Sequence, residues 1–127
     1  YKRQVLNNYA YFLSLEGRDL ERALAMAGRA IVLEENNPTY LDTYAWVLYR
    51  LGRYDEAKKT MQQALSLDRS QSPDLQLHYG DILAALGEKF MAEVYWKKAL
   101  EGGYDDPDAI VERFRRLKEA AQTPAAP

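Results

Sequence analysis

Leu6, Tyr9, Ala10 and Leu13 stand at i, i+3, i+4 and i+7, which places them on one face of an α-helix. The pattern predicts a helix over residues 2–16, ended by Gly17, a residue free to take the left-handed backbone at a helix C-terminus. Asp19 offers an N-cap for a second helix, and Leu20, Ala23, Leu24, Ala27, Ala30 and Ile31 form its apolar face to Glu34. The same order then returns. Leu41, Tyr44, Ala45, Leu48 and Gly52 stand 35 positions after the first set (41 − 6 = 35), and Gln76, Tyr79, Gly80, Leu83 and Gly87 stand 35 further on (87 − 52 = 35). Gly80 occupies the slot of Ala10 and Ala45, so a small side chain is expected there. A period of this length marks stacked helix pairs that share one apolar interior.

The punctuation repeats as well. Pro38, Pro73 and Pro107 open helices, where the missing N–H has no intrahelical partner. Asn37, Ser72 and Asp106 precede them, all good N-cap types. Helices are therefore expected at about 38–51, 54–67, 73–86 and 88–100. A seventh, about 107–121, carries the stripe Ile110, Val111, Phe114 and Leu117. Its polar face holds Glu112, Arg113, Arg115, Arg116, Lys118 and Glu119, read as solvated. Phe114 fills the small slot and no partner helix follows, so this helix is expected to cap the array. The Ala/Pro-rich residues 122–127 are expected to be disordered.

The spacing Leu41-x2-Tyr44-Ala45-x2-Leu48, Gly52, Tyr54, Ala57-x3-Met61 and Ala64 resembles the tetratricopeptide repeat, met three times in phase over about residues 4–103. Gln76 and Ala27 depart from it, standing where bulky or aromatic residues are usual, and the prolines come late. The run TYAWVLYRLGRYDEA followed by HYGDIL is similar to tetratricopeptide segments of bacterial envelope-associated proteins. The resemblance implies an all-α fold: a right-handed superhelix of three helix pairs (about 4–37, 38–72 and 73–106) plus the capping helix, in a single domain spanning 1–121. It also implies that the first helix of each pair lines a concave groove which binds a peptide or protein segment, without chemistry of its own.

Periodicity sorts the positions that lean away from the core. They are Asn7, Tyr11 and Ser14 in the first unit; Asp42, Trp46, Tyr49 and Arg50 in the second; Leu77, His78, Asp81 and Ala85 in the third. The resemblance makes these the groove positions. Tyr11, Trp46 and Tyr49 would form an aromatic strip of the kind that anchors interfaces, with Asp42 and Asp81 beside it. Such a groove would favour an apolar peptide carrying Lys or Arg. Asp42, Leu77 and His78 stand where a basic clamp on a peptide carboxylate would need Lys or Arg, so that clamp is not expected.

Composition narrows the rest. Hydrophobic residues make up 47%, enough for a continuous interior. Seventeen Lys and Arg against nineteen Asp and Glu give 17 − 19 = −2, with no basic footprint for nucleic acid. There is no cysteine, so disulfides and thiolate sites are out. His78 is the one histidine, flanked by Asp74 and Asp81, and too few ligand types surround it for a usual zinc site. Asp105-Asp106-Pro107-Asp108 lacks the spaced ligands of a calcium loop and reads as capping. No catalytic constellation and no phosphate loop is met. The expectation is a non-catalytic interaction module with no cofactor or metal, a protein or peptide partner, no nucleic acid and no membrane insertion. A structural spacer or self-association segment in a longer array is the alternative. The sequence starts at Tyr1 without Met and reads as a processed chain or a piece of a longer one. A soluble protein of the bacterial periplasm or cytoplasm is expected, leaning to the cell envelope.

Overall fold

The computed structural model describes residues 2–122. These form seven helices: α1 (Lys2–Glu16), α2 (Leu20–Leu33), α3 (Pro38–Arg50), α4 (Tyr54–Leu67), α5 (Pro73–Ala85), α6 (Lys89–Glu101) and α7 (Pro107–Gln122). No strand occurs among the described residues. The expected disorder of the tail falls outside them, apart from Gln122, which ends α7. The chain divides into two compact units, Tyr1–Gln71 and Ser72–Pro127, and the break lies in the loop before Pro73.

Three short turns make the hairpins. Gly17, Gly52 and Gly87 take φ values of +68°, +81° and +81°. The N–H of the following residue then returns to the helix that has just ended: Arg18 to the Leu13 carbonyl at 3.3 Å, Arg53 to Leu48 at 2.9 Å, Glu88 to Leu83 at 2.9 Å. This closes the last carbonyls and turns the chain back within three residues. Glycine is needed because a β-carbon disfavours the left-handed backbone. The 35-residue sequence period is thus a period of turn geometry.

At the starts of helices the structure is less uniform. Asn37 caps α3 as expected, its side-chain oxygen accepting from the backbone N–H of Thr39 at 2.9 Å and Tyr40 at 3.2 Å. Asp106 accepts from the Ala109 N–H at 3.3 Å. Asp19 does not cap α2. Its φ of +51° takes the left-handed region, and its side chain makes no cap bond. The preceding Gly17-Arg18 turn delivers the chain in a conformation that aims the carboxylate elsewhere. Ser72 likewise makes no side-chain cap bond to α5.

In the first unit, α1 packs on α2, α3 on α4, and α3 also on both α1 and α2. Ala10, Leu13, Ala23, Ala27 and Val47 form its buried cluster, with Leu24, Met26, Tyr44 and Leu51 packed around them. In the second unit α5 packs on α6, and α6 on α7. Tyr9 is an exception to the expected core: it stays 38% exposed, whereas Tyr79 at the matching place is buried. Val111 on α7 is also exposed, not part of a buried stripe.

The small slot is real. Ala10, Ala45 and Gly80 are all buried. A β-carbon built on Gly80 would lie 2.4 Å from Cδ1 and 2.6 Å from Nε1 of Trp96. Trp96 stands 35 residues after Met61, which stands 34 after Ala27, and all three are buried. In the third hairpin the indole thus occupies the space that glycine leaves. Gly80→Ala is expected to cost about 1–3 kcal/mol, because either Trp96 or the α5 backbone must shift in a close-packed interior. Chemical denaturation of the whole chain would measure it, and a loss of stability with helical content retained is the expected outcome.

Candidate functional site

On α1, positions 7, 11 and 14 follow one another by four and three residues. On α3, 42, 46 and 49 do the same, each 35 residues on (42 − 7 = 35; 49 − 14 = 35). Each set therefore occupies one face of its helix, and the two helices pack together. The structure brings Asn7, Tyr11, Asp42, Trp46, Tyr49 and Arg50 into the first unit in this way.

Their exposure is graded. Tyr11, Trp46 and Tyr49 are half-buried and Arg50 is exposed. The Trp46 and Tyr49 rings stack, with centroids 4.7 Å apart and planes 18° from parallel. Tyr49 also meets Tyr54 of α4 at 5.6 Å and 52°. The rings therefore hold one another in place while keeping area open to solvent, which lowers the cost of fixing them against a ligand. Arg50 lies over the end of α1: a β-carbon on Gly17 would come within 2.9 Å of its Nη2.

The polar members sit deeper than expected. Asn7 is 4% exposed, Asp42 7% and Ser14 fully buried. Ser14 turns its hydroxyl back onto its own helix, donating to the Tyr11 carbonyl. Asn7 and Asp42 thus do not line an open groove as polar contacts. The Asn7 Oδ1 is buried without a hydrogen-bond partner, an uncommon state for a buried polar atom.

In the second unit, His78 is half-buried on α5, whereas Leu77 is buried and Ala85 exposed. Asp81 is 8% exposed. Its Oδ1 accepts from the Trp96 indole N–H at 2.9 Å and from Arg113 Nε at 2.7 Å, and its Oδ2 accepts from Arg113 Nη2 at 2.9 Å. Arg113 also donates to the Ala109 carbonyl at 2.9 Å. Asp81 is consequently not a free acid awaiting a basic ligand. Both of its oxygens are committed to α6 and α7 through a two-pronged ion pair, the strong form of carboxylate recognition.

Sequence reasoning missed Arg113. Its place in an i, i+3, i+4 mixture of acids and bases made it look solvated, and that description fits its neighbours. Arg115 pairs with Glu112 and Glu119, and Arg116 with Glu112 at 3.1 Å, all on the exposed side of α7. The missed signal was position: Arg113 directly precedes Phe114, whose ring meets Trp96 edge-on at 5.6 Å and 71°. Beside it, Phe90, Phe114, Leu117 and Ala121 line a surface pocket between α6 and α7, with Lys89, Glu93 and Lys118 around it. Among the described residues no group of three or more His, Cys, Asp or Glu could hold a metal ion. No described helix is long and apolar enough to cross a membrane.

Helix hairpins repeated at 35 residues, each closed by the same glycine turn, define an all-α helical-repeat protein with a solvent-open aromatic face on its first unit. The tetratricopeptide repeat family model matches residues 38–70, the span that holds α3 and α4. Similar solved structures include the first TPR domain of human RPAP3, at 18% identity over 95% of this chain and 93% of that chain, TM-score 0.82. The first TPR of Spaghetti (RPAP3) bound to the HSP90 peptide SRMEEVD shows 19% identity over 96% of this chain and 94% of that chain, TM-score 0.80. The Yersinia enterocolitica type III secretion translocator chaperone SycD shows 18% identity over 96% of each chain, TM-score 0.78. The protein has the fold of a tetratricopeptide-repeat domain.

Two outcomes follow from the charges of the second unit. Arg113→Ala leaves the Asp81 carboxylate buried with its charge uncompensated by the guanidinium and held by the Trp96 indole N–H, so a loss of about 2–3 kcal/mol is expected. Replacing both, as Asp81→Leu with Arg113→Met, should recover part of it, and thermal melts of the three variants would show this. On α7, hydrogen bonding from Arg115, reinforced by its charge and by Arg116, holds the Glu112 carboxyl down from 4.5 to about 2. A depressed carboxyl stabilises the fold above its unfolded value and ceases to do so as pH falls through the folded value. The α7 amides should therefore keep their exchange protection down to about pH 4.5 and lose part of it between there and about pH 2. Glu112→Gln should remove that dependence.

Proposed function

We propose that the protein is a non-catalytic interaction module, and that the α1–α3 face takes an apolar or aromatic segment of another protein. The observation that carries this reading is the stacked, half-buried Trp46–Tyr49 pair on α3, followed in the chain by the exposed Arg50. Tryptophan, tyrosine and arginine dominate binding energetics where they are held rigid and lose water on contact. Two of the similar folds bear on the same point: one is described with a bound HSP90 peptide, and another is a secretion chaperone.

The ligand preference differs from the one read from sequence. Acidic flanks on Asp42 and Asp81 would select Lys or Arg. With Asp42 buried and Asp81 saturated by Arg113 and Trp96, that selectivity loses its basis. Arg50 is the exposed charge of the face and favours a carboxylate or carbonyl on the ligand instead. Asn7 adds a buried acceptor with no partner, which a small side-chain adjustment would offer to a ligand N–H.

Peptides selected from a random display library against the chain supply a defined probe. Trp46→Ala with Tyr49→Ala should weaken the selected peptides by roughly 30-fold or more, corresponding to about 2 kcal/mol from a central anchor pair. Circular dichroism should show helical content retained. Unchanged affinity in a folded double variant would remove the aromatic face from the account.

A further inference from the structure

We infer that α1 carries a self-association seam, along which α1 of a second copy of this chain lies antiparallel. Lys2, Val5, Tyr9, Phe12 and Glu16 are spaced by three, four, three and four residues, the spacing of a line along which two helices pair. Lys2 and Glu16 are exposed, and Val5, Tyr9 and Phe12 are 53%, 38% and 44% exposed. The Tyr9 and Phe12 rings stack at 6.2 Å, and the Arg22 guanidinium lies 5.8 Å from the Tyr9 ring centroid. The middle of the seam is therefore ordered before a partner arrives, which lowers the cost of covering it. By helical phase the seam lies opposite Asn7, Tyr11 and Ser14, so a second copy there leaves the α1–α3 face free.

The charges at the two ends of the seam name the occupant. The matching ends on α3, 35 residues on, are Asn37 and Leu51 (37 − 2 = 35; 51 − 16 = 35), and on α5 they are Ser72 and Leu86. Between them stand Tyr40, Tyr44 and Val47 on α3, and Leu75, Tyr79 and Ile82 on α5. Neither line carries a charge. Of the three helices, α1 alone places a cation at the start of the line and an anion at its end.

That polarity is complementary to itself only when one copy is reversed. An antiparallel copy sets Lys2 against Glu16 of the second copy, Glu16 against its Lys2, and Val5 and Phe12 against each other in both directions. Tyr9 then meets Tyr9 at the two-fold axis. The pairs 2 with 16, 5 with 12 and 9 with 9 share one midpoint to within half a residue, as a single antiparallel register requires. A parallel copy would bring Lys2 onto Lys2 and Glu16 onto Glu16, which is repulsive. The result is an isologous two-fold contact, in which the same patch serves both copies.

Sedimentation velocity of the chain from about 10 to about 500 µM should show a reversible monomer–dimer equilibrium, as expected of a contact below the standard interface size. Glu16→Lys and Lys2→Glu should each weaken the dimer by about tenfold or more, because each sets like charges together twice. An equimolar mixture of the two variants should dimerise at least as well as the original chain, since every end pair then joins opposite charges. The chain has no cysteine, so Val5→Cys mixed with Phe12→Cys reads the direction. Under mild oxidation the disulfide should join position 5 to position 12 in preference to 5 with 5 or 12 with 12. A chain that stays monomeric at the highest concentration overturns the inference and leaves the seam to another protein. So does a dimer whose charge variants associate no better mixed than apart, or one whose cysteines join like to like.

Discussion

The constraint on which the hairpins depend is how closely two helices approach at one point in each pair. Ala10, Ala45 and Gly80 mark that point, and none has any accessible surface to spare. Around it the other side chains adjust. Where α6 brings in an indole, α5 gives up even a methyl group. A close-packed interior transmits such a change to its neighbours, and Trp96 shows the consequence. Its pyrrole edge fills the space at Gly80, its N–H reaches Asp81, and its ring meets Phe114 at a steep angle. The attachment of α7 thus grows out of the volume at one glycine.

That attachment also separates the two units by what their first helices offer. The positions 11, 46 and 81 are equivalent by the 35-residue period (46 − 11 = 35; 81 − 46 = 35). Tyr11 and Trp46 leave area open. Asp81 is occupied by an arginine from the chain's own last helix. A buried ion pair of this kind adds little net stability over a well-packed apolar alternative, but it is costly to break, so it fixes which surface α7 covers. The aromatic area that remains accessible at these positions is then on the first unit.

Much of this was legible from residues alone. The seven helices, the glycine stops at 17, 52 and 87 and the small slot at 80 all follow from local periodicity and backbone preference, which act over a few residues and leave clear marks. What was not legible depended on distance in sequence. Asp81 and Arg113 are 32 positions apart, and each looks ordinary in its own helix. Asp19 looked like a cap by composition, yet the turn before it had already fixed a left-handed φ. Tyr9 matched Tyr44 and Tyr79 in spacing yet stays 38% exposed, because spacing does not tell how far neighbouring helices cover a position. Asn7 and Asp42 are buried where exposed groove positions were expected, because helical periodicity gives direction and not depth.

The central claim is that the Trp46–Tyr49 face, rather than the interior around Trp96, meets the ligand. The chain has two tryptophans, so its two indole N–H resonances report on the two places separately. Titration of the isotope-labelled chain with a library-selected peptide should move the Trp46 indole signal in proportion to occupancy and leave the Trp96 signal, held by Asp81, in place. Saturable binding with a stationary Trp46 resonance would contradict the account.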